Sequence, residues 1–335
     1  MATPFKVLAV DGGGIRGIIP ALVLAEIERR TQRPTCELFD LVSGTSTGGI
    51  IALGLVKPGP DGKVQKSAAD IVNIYVQTGS RIFPQTFLQG LHVGLVRGAK
   101  YDAAGLESVL KDQFGDTRLK EALTPALIPS HDIGKQMPMF FKSEKAKANP
   151  DADFAMRDVV RATTAAPTYF TPTQIQPGDA STTYALVDGG IDAGNPAMCA
   201  YAEAIKLGAA AGSILIVSLG TGEQGWSLDY AQASQWGAVE WAPNLIGMVM
   251  DGSNITVDYQ LRQIVQTAVP PQMYYRFQVT LDGSTGGIDD ASDANLKHLT
   301  DQTQAYLNQP DVQDSLSQLC AQLTPADPQP IAAAG

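Results

Sequence analysis

A serine between two glycines is the first group in this sequence that could do chemistry. Ser46 lies in the stretch G-T-S-T-G, flanked by Thr45 and Thr47, with Gly44 and Gly48 two residues before and after it. Glycine at both offsets lets the backbone turn sharply, so the hydroxyl projects at the N-terminus of a following helix. The pattern predicts a nucleophilic serine on a strand-turn-helix elbow.

The residues on either side predict the elements that such an elbow needs. The apolar run over Phe39–Val42 indicates a strand, and I-I-A-L-G-L over Ile50–Leu55 indicates a buried helix. A phosphate-binding loop is the competing interpretation of the same stretch. It lacks the Gly-Lys-Ser/Thr ending that would place a lysine on the phosphates of a nucleotide, so the serine elbow is favoured.

A second strand-glycine-helix unit opens the chain. Phe5–Val10 predicts a strand, G-G-G-I-R-G over Gly12–Gly17 a turn, and Ile18–Ile27 a helix. Successive glycines allow backbone amides to face one point, and the helix start adds positive partial charge. The loop therefore suits an anion or a developing oxyanion, with these predicted contributors: Gly12, Gly13, Gly14 and Arg16.

The same loop matches G-x-G-x-x-G, the dinucleotide fingerprint. A dinucleotide site would need an acidic residue at the end of the second strand, whereas Asp40 lies at the start of the next apolar run. The pattern recurs at Gly220–Gly225 after the strand Ser213–Leu219, where no clean apolar helix follows, so we interpret Leu219–Gly222 as a strand-end turn. A dinucleotide-dependent oxidoreductase remains an alternative function.

A serine needs a base within about 2.6 to 3.2 Å to become nucleophilic. Asp188 ends a short apolar strand in Y-A-L-V-D-G-G-I, and Gly189 and Gly190 follow it. Its carboxylate could accept the Ser46 proton. Asp-Gly is also a common turn signal with no catalytic meaning, and the residues alone leave both interpretations open.

Histidine is the other possible base, and the chain has three. His92 lies in an apolar stretch, His131 follows a Pro-Ser turn, and His298 lies on a predicted helix, away from its apolar face. Ser46, Asp188 and His298 follow the chain order of an α/β-hydrolase triad. Only about two strands precede the serine, fewer than that fold builds first, so the triad is kept as an alternative to a Ser-Asp dyad.

Composition narrows the possible partners. The 335-residue chain has a net charge of −10, which argues against nucleic acid and anionic membrane surfaces because both need a basic face. Its three cysteines are too scattered for a disulfide framework or a zinc site, and the acidic run Asp282–Asp293 lacks the spacing of a calcium loop. No metal or cofactor is expected, and Asp290 or Ser292 is predicted to cap the following helix.

No targeting or spanning segment is evident in the sequence. The start M-A-T-P-F-K-V-L-A-V-D lacks a signal-peptide pattern, and no stretch approaches 18 unbroken apolar residues. We therefore expect a soluble, cytoplasmic protein. The uncharged apolar stretch Phe83–Val96 would either make transient contact with a membrane or micelle surface or pack as ordinary core.

Three motifs resemble the signatures of patatin-like phospholipases, in the same order. They are D-G-G-G-I-R-G at Asp11–Gly17, G-T-S-T-G-G at Gly44–Gly49 and V-D-G-G at Val187–Gly190. Three further stretches resemble plant patatins: T-A-A-P-T-Y-F at 164–170, L-G-T-G at 219–222 and D-D-A-S-D-A-N at 289–295. The resemblance covers nearly the whole chain, which predicts one domain over residues 1–323 and a loose tail over 324–335.

The resemblance implies a fold, a reaction and a set of site residues. The implied fold is a three-layer α/β/α arrangement around a mixed, mostly parallel sheet, and the implied reaction is hydrolysis of acyl esters in phospholipids or other lipids. Ser46 resembles the family's nucleophile, Asp188 its base, and Gly12 to Gly14 its oxyanion loop, with Arg16 beside it. Gly190 stands where plant patatins commonly have alanine, a difference that many bacterial relatives share.

Overall fold

The β-structure consists of one large mixed sheet and a two-stranded ribbon. This computed structural model describes residues 3–84, 98–178, 182–224, 229–265 and 272–324. The strands are β1 (Phe5–Val10), β2 (Leu41–Gly44), β3 (Ala126–Asp132), β4 (Met137–Lys142), β5 (Thr173–Ile175), β6 (Tyr184–Asp188), β7 (Ile214–Leu219), β8 (Glu223–Gln224), β9 (Tyr274–Phe277) and β10 (Thr280–Leu281). The large sheet has the order β5-β6-β3-β2-β1-β7-β9, with β4 also paired to β3, while β8 pairs with β10. In this order, the neighbouring strands β3, β2, β1, β7 and β9 pair in parallel. Strands β4 and β6 pair antiparallel with β3, and β5 pairs antiparallel with β6. The predicted mixed, mostly parallel sheet is therefore confirmed.

Helices cover both faces of this sheet. They are α1 (Ile18–Thr31), α2 (Thr35–Leu38), α3 (Thr47–Gly54), α4 (Ala68–Ile82), α5 (Ala104–Phe114), α6 (Ser143–Ala148), α7 (Met156–Thr163), α8 (Gly190–Ala193), α9 (Ala197–Lys206), α10 (Tyr230–Ala233), α11 (Ala238–Ile264), α12 (Asp293–Leu307) and α13 (Pro310–Leu323). The β1 residues Val7 to Val10 point alternately to opposite faces, and all of them are fully buried. The three-layer α/β/α prediction is therefore confirmed. Ser292 caps α12 as expected, because its side chain accepts a hydrogen bond from the Asn295 amide at 3.2 Å.

The sheet topology brings the carboxyl ends of two strands, β2 and β6, together beside β3. One edge of β3 pairs with β4 over Leu127–Asp132, so β2 and β6 share the other edge. Strand β2 runs parallel to β3 and pairs near its start, whereas β6 runs antiparallel and pairs near its end. Strands β2 and β6 therefore point toward each other, and the residues at their carboxyl ends meet.

Helix α7 ends earlier than its sequence predicts. We expect a helix over Met156–Ala166, stopped by Pro167, but the helix ends at Thr163. Beyond that point the Ala165 carbonyl accepts a hydrogen bond of 3.0 Å from the Asp188 amide. This bond draws the segment toward β6, so a contact distant in sequence decides where the helix stops.

The sequence does not predict α11, although it is a helix of 27 residues. The segment contains Pro243 and Gly252, which resemble helix breakers, and apolar Ile255 and Tyr259 are each 64% exposed. These features hide the periodic apolar face by which an amphipathic helix is recognised. The helix packs on α8 and α9, and this packing stabilises what the local pattern does not indicate.

Some predictions concern residues outside the described ranges. They include the greater part of the apolar stretch Phe83–Val96, with His92, and nearly all of the predicted tail. Among the helices that the structure describes, none has both the length and the apolar character needed to cross a membrane.

Candidate active site

Ser46 occupies a strained turn between β2 and α3. Its backbone angles are φ 53° and ψ −121°, a region that residues with side chains rarely adopt. A Cβ on Gly44 would lie 2.0 Å from the Gly48 carbonyl oxygen, so this close approach requires glycine. Strain of this kind is concentrated at functional sites, where the surrounding structure holds it in place. The predicted strand-turn-helix elbow is therefore present, with its serine 9% exposed.

Thr163, the last residue of α7, holds the elbow in place, and no sequence motif indicates this role. Its Oγ1 accepts a hydrogen bond of 3.0 Å from the Ser46 amide and donates one of 2.6 Å to the Pro129 carbonyl. Thr163 has no exposed surface, and water therefore does not compete for these bonds. The available signal was its position just before the patatin-like stretch that begins at Thr164.

Asp188 is the last residue of β6, whose carboxyl end meets the carboxyl end of β2, and it is close to Ser46. Its Oδ1 accepts a hydrogen bond of 2.7 Å from the Gly190 amide, and its Oδ2 has no hydrogen-bond partner among the described residues. Burial raises the pKa of Asp188 to about 7, while the nearby Ser46 hydroxyl and the Gly190 amide lower it. A buried carboxylate with one uncommitted oxygen beside a serine is chemically suited to accept the serine proton.

The raised pKa makes a prediction about pH. Only the ionised carboxylate can accept a proton, so we expect kcat/KM to fall about tenfold for each pH unit below a pKa of about 7. The measurement is kcat/KM between pH 5 and pH 9 on an uncharged short-chain ester, whose own ionisation does not change. A profile that stays flat down to pH 5 would contradict a role for Asp188 as the base.

The glycine loop lies beside this pair, since β1 and β2 are adjacent and Val10 is in register with Gly44. The Gly12 amide donates to the Gly194 carbonyl at 2.9 Å, which commits it to the fold. The amides of Gly13 and Gly14 make no hydrogen bond with other described residues. Of the three glycines predicted to supply oxyanion donors, these two have amides available.

Arg16 is the residue that the sequence predicts to add a fixed positive charge beside the glycine loop. Its amide donates to the Gly13 carbonyl at 3.2 Å, which helps to shape the loop. Burial lowers the pKa of the guanidinium, while the neighbouring Asp251 and Tyr169 raise it. Its Nε has no hydrogen-bond partner among the residues described. The side chain is thus only partly exposed, and a role for it at the oxyanion is a proposal.

A buried ion pair anchors the residue that precedes the glycine loop. Arg276 Nη2 lies 2.6 Å from Asp11 Oδ2, and Arg276 Nη1 donates to Ser218 Oγ at 2.8 Å. The side chains of Asp11 and Arg276 are 1% and 6% exposed. Breaking the pair would be costly, because it would leave a buried charge uncompensated. The Arg276 contacts therefore anchor Asp11, at the start of the glycine loop, to β7 and β9.

The two histidines within the described residues have other partners. His131 Nδ1 lies 2.8 Å from Asp192 Oδ2, and His298 Nε2 lies 3.0 Å from Ser284 Oγ and 2.9 Å from Asp282 Oδ1. Ser284, His298 and Asp282 have the residue types of a catalytic triad. However, His298 makes both contacts through the same nitrogen, Nε2, whereas the histidine of a triad uses both ring nitrogens. The Ser-Asp-His alternative receives no support from these contacts.

The dinucleotide alternative also lacks its key residue. Strand β2 ends at Gly44 and continues into Thr45, so no acidic side chain stands at its carboxyl end to bind a ribose. As the sequence predicts, Asp40 precedes that strand. The second fingerprint is a strand-end turn, because Glu223 and Gln224 form β8 and not a helix.

Comparisons with known proteins identify the family of this chain. A family model described as patatin-like phospholipase matches residues 8–201. Patatin-04/09 from Solanum tuberosum is 33% identical over 336 residues, which cover 92% of this chain and 85% of that protein. Patatin-like protein 2 from Oryza sativa subsp. indica is 32% identical over 329 residues, covering 88% and 81%.

One solved structure is a more distant match. The crystal structure of VipD from Legionella pneumophila is 12% identical and covers 91% of this chain and 67% of that chain, with a TM-score of 0.36. A score this low carries no argument about the site. The family assignment rests on the matched family model and on the two plant relatives. This chain belongs to the patatin-like phospholipase family, a family of lipid acyl hydrolases.

Proposed function

We propose that this protein hydrolyses fatty-acyl esters of phospholipids or related lipids, with Ser46 as nucleophile and Asp188 as base. The observation that carries the proposal is the pairing of a strained serine with a buried aspartate at the meeting point of β2 and β6. Asp188 Oδ2 has no other partner among described residues, and its pKa of about 7 suits proton transfer at neutral pH.

The first half of the reaction forms an acyl-enzyme. Asp188 accepts the Ser46 proton as Oγ attacks the ester carbonyl carbon, and the carbonyl electron pair moves onto its oxygen. The Gly13 and Gly14 amides donate hydrogen bonds to that oxyanion. The tetrahedral intermediate then collapses: the bond to the alcohol oxygen breaks, the alcohol leaves with the proton from Asp188, and the acyl group stays on Ser46.

The second half releases the fatty acid. Asp188, ionised again, accepts a proton from a water molecule that attacks the acyl carbonyl, and the same two amides stabilise the second oxyanion. Collapse breaks the bond to Ser46 Oγ, which takes the proton back. One ester and one water are consumed, and one alcohol and one fatty acid are formed.

The experiment combines covalent labelling with product analysis. A fluorophosphonate probe reacts with an activated serine, and mass spectrometry should place the label on the peptide that contains Ser46. The same preparation should release fatty acid and a lysophospholipid from phosphatidylcholine in mixed micelles. Binding of lipid without labelling or release would indicate a non-catalytic lipid-binding module, and labelling at another serine would contradict the assignment of the nucleophile.

A further inference from the structure

The peptide between Gly12 and Gly13 is held from its carbonyl side. Thr221 Oγ1 donates a hydrogen bond of 2.7 Å to the Gly12 carbonyl oxygen, and Thr221 is 3% exposed. The C=O and N–H of one trans peptide lie in a plane and point in opposite directions. Fixing the Gly12 carbonyl therefore fixes the direction in which the Gly13 N–H points.

This arrangement leaves the Gly13 amide available. The two amides before it are committed, since the Asp11 amide donates to the Leu219 carbonyl and the Gly12 amide to the Gly194 carbonyl. Gly13 itself is buried and its amide makes no hydrogen bond within the described part of the chain. A buried N–H without a partner is costly, and its presence in a folded protein calls for a functional explanation.

The position of Thr221 is itself well fixed. It follows β7, and its neighbours on both sides are anchored at the end of β9. The Gly220 amide donates to the carbonyl of Phe277, the last residue of β9, at 2.9 Å, and the Gly222 amide donates to Oε1 of the next residue, Gln278, at 3.1 Å. A Cβ on Gly13 would lie 2.2 Å from Thr221 Oγ1, so the hydroxyl lies directly against the glycine. A β-branched side chain also has restricted χ1 freedom.

We propose that Thr221 is a positioning residue for the oxyanion site, which aims and polarises the Gly13 amide through the Gly12 carbonyl. The inference rests on the proposed acyl-ester hydrolysis. Hydrogen bonds in a chain strengthen one another, so donation to the carbonyl makes the N–H of the same peptide a better donor to a developing negative charge. Thr221 itself does not touch the substrate.

The test replaces Thr221 by valine, which keeps the shape and removes the hydroxyl. Loss of a whole oxyanion donor costs about 10²- to 10³-fold in rate, so misdirecting one should lower kcat by about 10- to 100-fold, with little change in KM. Thr221→Ser retains the hydroxyl and should stay within about threefold of wild type. Thr303→Val is the matched control, because Thr303 is also fully buried and donates 2.7 Å to a carbonyl, that of Leu299 in α12.

A second readout separates positioning from general damage. A trifluoromethyl ketone with an acyl chain forms a tetrahedral adduct with an active serine and places an oxyanion at the same point. Its affinity for Thr221→Val should fall by about the factor by which kcat falls, since both depend on the same amide. Titration with the fluorophosphonate gives the active fraction, to which all rates are normalised.

Several outcomes would overturn the inference while leaving the proposed function intact. They are an unchanged kcat for Thr221→Val, a change confined to KM, or unchanged affinity for the ketone, each with wild-type enzyme that is active and labelled at Ser46. If the valine variant does not fold, Thr221→Ala is subject to the same criteria, since it also lacks the hydroxyl and cannot clash. Wild-type enzyme without labelling or ester hydrolysis would instead refute the proposed function.

Discussion

Replacing Ser46 by alanine should lower kcat on the order of 10⁶-fold, the scale seen when a serine hydrolase loses its nucleophile. The expectation follows from the elbow, which presents one hydroxyl beside the uncommitted oxygen of Asp188. The variant should also lose labelling by the fluorophosphonate. Fatty-acid release from phosphatidylcholine, followed over days to reach the low rate, is the primary measurement.

The Ser46→Ala experiment has a matched control on β2, the strand that precedes Ser46. Ser43 is buried and its hydroxyl donates 2.7 Å to the Leu127 carbonyl, so Ser43→Ala removes a buried hydroxyl without touching the proposed chemistry. We expect that variant to keep its activity within about threefold, in line with the small effect of most substitutions outside a site. Retention of more than a hundredth of wild-type kcat by Ser46→Ala would show that another group is the nucleophile.

Replacing Asp188 by asparagine should lower kcat by about 10²- to 10⁴-fold, the usual contribution of a positioned general base. Asparagine has nearly the same shape, and its carbonyl oxygen can still accept the Gly190 N–H, but its amide cannot accept the Ser46 proton. The measurement is single-turnover acylation by a chromogenic ester. Asp192→Asn and His298→Ala should leave this step almost unchanged; a loss in His298→Ala equal to that in Asp188→Asn would restore the triad.

Asp188→Asn also tests the electrostatics through stability. Folding raises the pKa of Asp188 from 3.8 to about 7, so the folded protein binds this proton more tightly than the unfolded chain does. The stabilising contribution of the protonated group is present below about pH 4 and is lost as pH rises to about 7. The asparagine variant stays neutral, so its Tm should exceed that of wild type at pH 8 and the difference should shrink at pH 5. A lower Tm at pH 8 would mean that the loss of activity reflects damage to the fold.

Ser46 and its surroundings illustrate how far local sequence rules predict structure. Glycine at fixed offsets and an apolar run on each side are requirements of a single tight turn, so Gly44 to Gly48 predict the elbow wherever the turn lies in the fold. The same reasoning finds the Gly12–Gly14 loop. Asp188 is different, because Asp-Gly is compatible with an ordinary turn, and the residues alone leave its role open. Resemblance to the family motifs favoured the aspartate before the sheet was known.

Contacts distant in sequence decided the rest. Whether Ser46 and Asp188 meet depends on β2 and β6 sharing one edge of β3, and no local pattern encodes that pairing. Which glycine amides remain available depends on the Gly194 carbonyl, and the support from Thr163 and Thr221 depends on segments more than a hundred residues away. Local conformational preferences act over a few residues, whereas the proposed chemistry requires groups from the ends of several strands. Only the packed sheet brings those ends together.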